Sequence, residues 1–388
     1  PTGTPVTTNP FAATSVTVED CHAAAALLAE SYDAANGGFG GAPKFPPTMA
    51  AQFLLRYHGR TTDATALELV RHTCEAMARG GIYDQLAGGF SRYTVDETWT
   101  VPHFEKMLYD NALLLSLYLT MMRTTGSSMA RRVADETAGF LLTRLRTADG
   151  GFASSLDADT DGTEGATYVW TPAQLREVLE ETDAAWVAEL CEVTSVGNFE
   201  HGSSVLTLRR DPDDPSRWAR LRACLLAARG ERPQPDRDDK VITAWNALAI
   251  SGLAEHGELT GNPASITAAV DAAQLLLARH WREGVLARTS LAGAIGPPGV
   301  LEDYGCFAEA LCVLHQVTGA ARWLTAAGEI LDSDEDKAAY KDADRQQQGM
   351  GIHRGHSPRM AGHIAAPRPG DPVIRRLLAQ IVVVTDPP

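Results

Sequence analysis

Two kinds of helical segment alternate along this chain. In the first kind polar residues are interspersed with an apolar stripe, as in 20–35, 63–79, 128–146 and 262–281. Such a pattern predicts a helix with one wet face. The second kind is apolar almost all round and is clearest over 112–122, 241–259 and 305–318. A helix without a polar face is buried on every side. About ten to eleven helices are expected up to Leu331. Their alternation predicts an all-α fold, an (α/α)6 toroid of helical hairpins with buried inner and half-wet outer helices.

Three glycine turns punctuate the alternation: Asn36-Gly-Gly-Phe39, Ala87-Gly-Gly-Phe90 and Asp149-Gly-Gly-Phe152. Paired glycines allow positive φ and end an outer helix sharply, and the Phe is placed to pin the turn on the core. Their spacing of about fifty to sixty residues suits one helical hairpin with its loop. A helix is expected after each turn. Pro46-Pro47 lead into 48–58, and Pro102 is expected in the first turn of a helix reaching Met122. Thr171-Pro172 read as the cap and first residue of a helix over 172–181. Periodicity stops at Asp332. The domain reading is therefore an extension over 1–19, the toroid over 20–331, and a divergent, loosely ordered tail over 332–388, with the toroid expected to be incomplete at its C-terminal end.

In an alternating ring all inner helices run one way, so their N-termini collect at one mouth. The residues assigned there are Lys44, Trp99, His103, Glu105, Asp110, Asp239, Lys240, Trp245, Asn246, Glu302, Asp303 and Tyr304. The glycine-turn loops add Phe39, Tyr83, Asp84, Phe90 and Arg92. Helix N-termini offer free N–H donors and a positive dipole end. Carboxylates, amides and imidazole hydrogen-bond hydroxyls, while aromatic rings present flat apolar faces, so this composition suits a saccharide or another polyhydroxylated ligand. For Glu302 and Asp303 the plainer reading is a first-turn acid that caps its helix and pairs with Lys or Arg.

The densest cluster is Trp99-Thr-Val-Pro-His-Phe-Glu-Lys-Met-Leu-Tyr-Asp-Asn111. It brings His103, Glu105, Lys106, Tyr109 and Asp110 to the start of a segment that should be buried. Buried ionisable groups are costly unless they are paired or used. His103 and Asp110 are seven residues apart, which on a continuous helix puts them on one face, with Asp110 orienting His103 through an intermediary.

Composition narrows the partners. At 388 residues, 44% hydrophobic and 21% charged, the chain is long enough and apolar enough for a large globular core. A net charge of −15 argues against nucleic acid and against an anionic membrane surface. No apolar run is long enough to cross a bilayer. The first twenty residues lack a basic-then-apolar signal pattern, and a cytoplasmic location is expected. Cys21, Cys74, Cys191, Cys224, Cys306 and Cys312 form no Cys-x-x-Cys, so they read as reduced, mostly buried thiols, and no metal is expected. Asp157-Ala-Asp159-Thr-Asp161-Gly162 matches the start of a calcium loop, but its twelfth position is Tyr168 where a bidentate Glu is needed. It reads instead as a polar turn that sends Glu164 toward the mouth. His353, His356 and His363 in the tail have no ligand spacing.

Several strings resemble one family. They are Gly37-Gly-Phe-Gly-Gly-Ala-Pro-Lys-Phe-Pro46, Gly81-Ile-Tyr-Asp-Gln-Leu-Ala-Gly-Gly-Phe90, the Trp99–Asn111 cluster, Tyr168-Val-Trp170, Asp239-Lys-Val-Ile-Thr-Ala-Trp-Asn246 and Leu301-Glu-Asp-Tyr304. Over roughly 20–331 the chain resembles the helical part of the spermatogenesis-associated, thioredoxin-domain-containing proteins. The resemblance implies an (α/α)6 toroid similar to six-hairpin glycosidases and N-acylglucosamine 2-epimerases. Three departures are visible against that family: no thioredoxin-like domain, Ser91 where relatives often carry His, and no recognisable closing hairpins after Leu331. A thioredoxin-like domain encoded separately is one implied partner.

Two classes of function fit. The first is a cofactor-independent carbohydrate-active enzyme. As an isomerase or epimerase, His103 would move a proton beside a sugar carbonyl with Glu105 or Asp303 as partner. As a glycoside hydrolase, two of Glu105, Asp239, Glu302 and Asp303 would act as acid and base. Proton transfer by His103 is preferred because that residue has no evident structural job. The second class is a non-catalytic module that binds a glycan, a metabolite or a thioredoxin-like partner, or a degenerate remnant.

Overall fold

Four two-residue links set the architecture. Thr62-Asp63, Gly126-Ser127, Gly261-Asn262 and Gly319-Ala320 each join an inner helix to the outer helix that follows it. The first residue of each link is left-handed, with φ of 60°, 70°, 73° and 68°. That conformation closes a helix and turns the chain back at once. Asp63, Ser127 and Asn262 then cap the next helix with their side chains.

The computed structural model describes residues 16–332. The tail reading and its histidines lie outside the described residues, as does nearly all of the expected extension. Twelve α-helices are described: α1 (Val18–Glu30), α2 (Thr48–Thr61), α3 (Ala64–Arg79), α4 (Leu108–Thr125), α5 (Ser128–Phe140), α6 (Pro172–Val178), α7 (Glu181–Leu190), α8 (Pro215–Gly230), α9 (Thr243–Thr260), α10 (Pro263–Arg279), α11 (Leu301–Thr318) and α12 (Ala321–Leu331). Strands are only two or three residues long and none closes a sheet.

Helices α2, α4, α9 and α11 form the inner layer, each against the next, and α3, α5, α10 and α12 lie outside them. The inner helices are buried on several sides: α9 alone buries Ala244, Asn246, Ala247, Ala249, Ile250, Gly252, Leu253, Ala254, His256 and Gly257. Gly252 lets α9 approach α4, since a Cβ there would meet the Ala112 carbonyl at 3.3 Å. This is an α/α toroid, with four inner helices among the described residues. Among them no helix is long and apolar enough to cross a membrane.

The long connections all sit at the opposite end, where outer helices lead into inner ones. They carry the three glycine turns, whose φ values are positive at Gly37, Gly38, Gly88, Gly89 and Gly150. Two of the turns are stapled to an inner helix by an asparagine. Asn111 accepts from the Phe90 N–H and donates to its C=O, at 2.7 and 3.0 Å. Asn246 does the same for Phe152, at 2.8 and 3.0 Å.

Two sequence expectations are corrected. The helix expected from Pro102 starts at Leu108. Residues 102–103 and 106–107 instead pair as short strands with 93–94 and 155–156. Burial there alternates, with Pro102, Phe104 and Lys106 inward and His103 and Glu105 outward, which is the period of an extended chain. The helix expected over 172–181 divides at Leu179 and belongs to no ring hairpin. Helices α6, α7 and α8 form a lobe inserted between α5 and α9, with its own core of Leu175, Val187, Leu190, Leu221 and Leu225 around Trp170 and Trp218.

Candidate active site

The extended run before α4 turns two polar side chains to the mouth. His103 stacks on Tyr93 with ring centroids 5.0 Å apart, and its Nδ1 lies 2.8 Å from Glu164 Oε1. Its Nε2 faces Glu105 Oε2 at 3.8 Å. Glu164 comes from a hairpin in the insert (Asp159–Thr160 paired with Thr163–Glu164), so the polar turn does reach the mouth. Gly165 is required there: at φ +70° its Cβ would lie 2.4 Å from the Phe104 ring.

The first turn of α4 adds Tyr109 and Asp110. Glu105 Oε2 takes a 3.1 Å bond from Arg92 Nη1, and Tyr109 sits between Arg92 and Asp110 and engages both. Trp245, from the first turn of α9, meets the Tyr109 ring at 4.8 Å. Two atoms in this cluster are buried without a hydrogen-bond partner, Asp110 Oδ2 and Arg92 Nε. Buried polar atoms are rarely left unpaired. Burial pushes the Asp110 carboxyl up to about 7, helped by the Glu105 charge and opposed by Arg92 and Tyr109.

The mouth therefore brings together Arg92, His103, Glu105, Asp110 and Trp245, with Tyr93, Tyr109 and Glu164 beside them. The other residues assigned to it have structural partners. Lys44 is fully buried, bonded to Asp33 at 2.6 Å and lying over the Trp99 ring. Trp99 is fully buried and donates to the Asn36 carbonyl. Phe39 packs edge-on against Tyr32. Phe90 stacks on Tyr118, and the Tyr83 hydroxyl donates to Glu136. Asn246 is the staple on Phe152. Asp303 is buried, accepting from the N–H groups of Ala244 and Val300 and from Arg288, so it ties α11 to α9. Tyr304 accepts from the Leu286 N–H. Asp239 pairs with Arg237, Lys240 with Asp238, and exposed Glu302 lies 4.0 Å from Arg288.

Lys106 and Asp84 belong to a buried ion cluster. Lys106 Nζ and Arg229 Nη1 each lie 2.8 Å from the Asp84 carboxylate. Burial opposes the Asp84 charge, but the two cations outweigh it and hold its pKa well below the usual carboxylate range. Burial draws Lys106 down to about 8. The cluster joins the glycine turn, the approach to α4 and the inserted lobe.

A second arrangement looks catalytic and is not accessible. His256 Nε2 lies 2.9 Å from Asp135 Oδ1 and its Nδ1 2.9 Å from Ser265 Oγ, the connectivity of an Asp-His-Ser triad. Ser265 is 0% exposed, so no substrate reaches its hydroxyl. Among the described residues no group of three or more His, Cys, Asp or Glu could hold a metal ion, the Asp157–Asp161 turn included.

With this geometry in view, comparison with known proteins places the chain. It is 33% identical over 356 residues to spermatogenesis-associated protein 20 of Rattus norvegicus, covering 79% of this chain and 45% of that protein. The human protein of that name is 33% identical over 359 residues. The chain is homologous to the spermatogenesis-associated protein 20 family. An uncharacterized Caenorhabditis elegans protein is 27% identical over 354 residues, covering 77% of this chain and 48% of that one. The chain thus spans about half the length of the curated relatives it matches. No family model matches it. Among solved structures, a glycoside hydrolase family 76 mannosidase from Bacteroides thetaiotaomicron superposes with a TM-score of 0.50 at 8% identity, over 81% of this chain and 70% of that one. This likeness is one of fold, and it matches the two-layer helical ring described above.

Proposed function

We propose that the mouth carries out acid–base chemistry on a saccharide, with glycoside hydrolysis as the reaction. The observation that carries this reading is the Asp110 carboxyl, which is buried beside Tyr109 and Trp245, has one unpartnered oxygen and is raised to about 7. A carboxyl in that condition keeps its proton near neutral pH and can give it to a leaving-group oxygen. Glu105, whose charge acts on Asp110 and which is bonded to Arg92, supplies the second carboxylate. Two carboxyls in contrasting environments suit the acid and the base or nucleophile of such a reaction. The similarity of fold to a mannosidase agrees with it.

The test is release of reducing ends from a panel of aryl glycosides and oligosaccharides. Asp110→Asn and Glu105→Gln are each expected to lower turnover at least about 100-fold. Sugar binding without turnover by the unmodified chain would replace this reading with a binding module.

One observation favours isomerisation as a second reading. His103 sits between Glu164 and Glu105, a chain that can orient the imidazole for proton transfer beside a carbonyl. Incorporation of solvent deuterium at C2 of an aldose, lost in His103→Ala, separates it from hydrolysis.

A further inference from the structure

Three short extended segments lie side by side next to His103. The backbones of Lys44 and Thr94 exchange hydrogen bonds at 2.8 and 2.9 Å. Tyr93 and Thr94 pair in turn with His103 and Pro102, and the Val95 N–H donates to the Val101 carbonyl. This register puts Phe45, Tyr93 and His103 in one row on the same face, with Val95 and Val101 in the next. The ring contacts follow it: Phe45 and Tyr93 have centroids 4.7 Å apart, and Tyr93 and His103 5.0 Å.

The polarity of this patch is inverted. Its inward side chains include Lys44 and Thr94, each 0% exposed. Its outward side chains are Phe45, 45% exposed, and Val95, 55% exposed, with Tyr93 and Val101 half-buried beside them. An antiparallel patch with one face in water normally turns its polar residues to that face. Bonds to Asp33 and to the Glu97 carbonyl explain why Lys44 points in. No such partner explains why Val95 points out. A contiguous apolar face left in water beside a polar cleft marks a surface that meets a ligand.

The occupant follows from what the face adjoins and from what it lacks. Its first row ends in His103, and Glu105 follows on the same side of the chain, so the face runs straight into the mouth. Apart from the Tyr93 hydroxyl, its side chains neither donate nor accept hydrogen bonds. A second sugar ring would bring hydroxyls to a face that cannot pair them. An aryl ring or an alkyl chain would lose only its contact with water.

We infer that the face of Phe45, Tyr93, Val95 and Val101 holds the apolar aglycone of an aryl or alkyl glycoside whose sugar occupies the mouth. The inference rests on the carbohydrate reading above and adds the other half of the substrate to it.

The test compares methyl, phenyl and octyl glycosides with the matching disaccharide, for glucose, mannose and galactose in both anomers. Binding to the full chain is measured by calorimetry, with octyl glycosides kept below their micelle concentration. For whichever sugar binds, the phenyl or octyl glycoside is expected to bind at least about tenfold more tightly than the methyl glycoside and the disaccharide. Tenfold is about 1.4 kcal/mol, which burial of roughly 55 Å² of apolar surface supplies. Val95→Ser and, separately, Phe45→Ser should each remove most of that gain. Both should leave methyl-glycoside binding within about twofold and the melting temperature within about 2–3 °C. Should Phe45→Ser unfold, the more exposed Val95→Ser carries the test. Phenyl and octyl forms that bind no better, or a gain that survives the substitutions, overturn the inference and leave the carbohydrate reading standing. So does a dimer that Val95→Ser dissociates, since a second copy would then cover the face. Failure of every glycoside to bind overturns both.

Discussion

The side chain of Asn111 closes a ring of two hydrogen bonds with the backbone of Phe90, accepting from its N–H at 2.7 Å and donating to its C=O at 3.0 Å. The same amide also donates to the Met107 carbonyl at 2.9 Å, so one buried residue joins the glycine turn, the strand before α4 and α4 itself. Replacing it with Ala leaves a buried N–H and carbonyls without partners, at about 1–3 kcal/mol each. Asn111→Ala is expected to cost about 2–4 kcal/mol in urea unfolding. Asn246→Ala, its counterpart on Phe152, should cost a similar amount, and the two losses should add because the staples serve separate hairpins.

Asp110 stands next to that staple and should behave oppositely. Its folded pKa is raised to about 7, so between roughly pH 4 and 7 the folded chain holds a proton that the unfolded chain has lost. Stability contributed by the neutral carboxyl is present below that window and is lost as pH rises through it. An Asn at this position is neutral throughout. Asp110→Asn is therefore expected to be more stable than the unmodified chain at pH 8 by about 1–3 kcal/mol, with little difference at pH 4. Denaturant midpoints at the two pH values check this. A loss of stability at pH 8 would mean that Asp110 serves the fold.

Asp84 compensates two buried cations. Asp84→Asn leaves Lys106 and Arg229 buried with a neutral partner and should cost about 3–5 kcal/mol. Because its folded pKa is depressed, the stability it contributes is present above about pH 4 and lost as pH falls through the folded value. The variant should lack that part of the acid unfolding of the unmodified chain, as followed by circular dichroism.

Ser265 tests the buried triad look-alike. Ser265→Ala should cost about 1–2 kcal/mol, through the lost bond to His256, and leave saccharide binding unchanged. A fluorophosphonate that labels accessible serine nucleophiles should give equal signal with and without the substitution.

Glu164 is half-exposed, so its removal should scarcely touch the fold. Glu164→Ala is expected to change stability by less than about 1 kcal/mol. Its effect should appear in function, as turnover or binding weakened by about tenfold once the His103 ring has lost the partner that orients it. Unchanged turnover and binding would remove His103 from the working site.

The two helix classes and the glycine turns were legible in the sequence because each is a local pattern. The extended run 101–107 was not, since proline followed by alternating residues and then an apolar helix also reads as a helix start. The asparagine staples left a signal that could have been used: Asn111-Ala-Leu113 and Asn246-Ala-Leu248 repeat at the same depth of two inner helices. The inserted lobe was hidden because a helical pattern does not announce which helices pack together, although α6 and α7, at 7 and 10 residues, are shorter than the ring helices. Of the residues assigned to the mouth, Arg92, His103, Glu105, Asp110 and Trp245 meet. Others found partners that no spacing announces, such as Arg229 for Asp84, 145 residues away. A charged residue at a helix start looks the same in sequence whether it waits for a ligand or for a distant side chain.

The two ends of the ring answer to different pressures. The two-residue links leave no room for insertion without splaying a helical pair, whereas the connections at the other end already hold an entire lobe of three helices between α5 and α9. Novelty can enter this scaffold from one side only. Exchange of the 157–165 hairpin would thus alter the mouth and leave the helical pairs untouched, just as the lobe of α6, α7 and α8 is carried on the same connection without joining a ring hairpin.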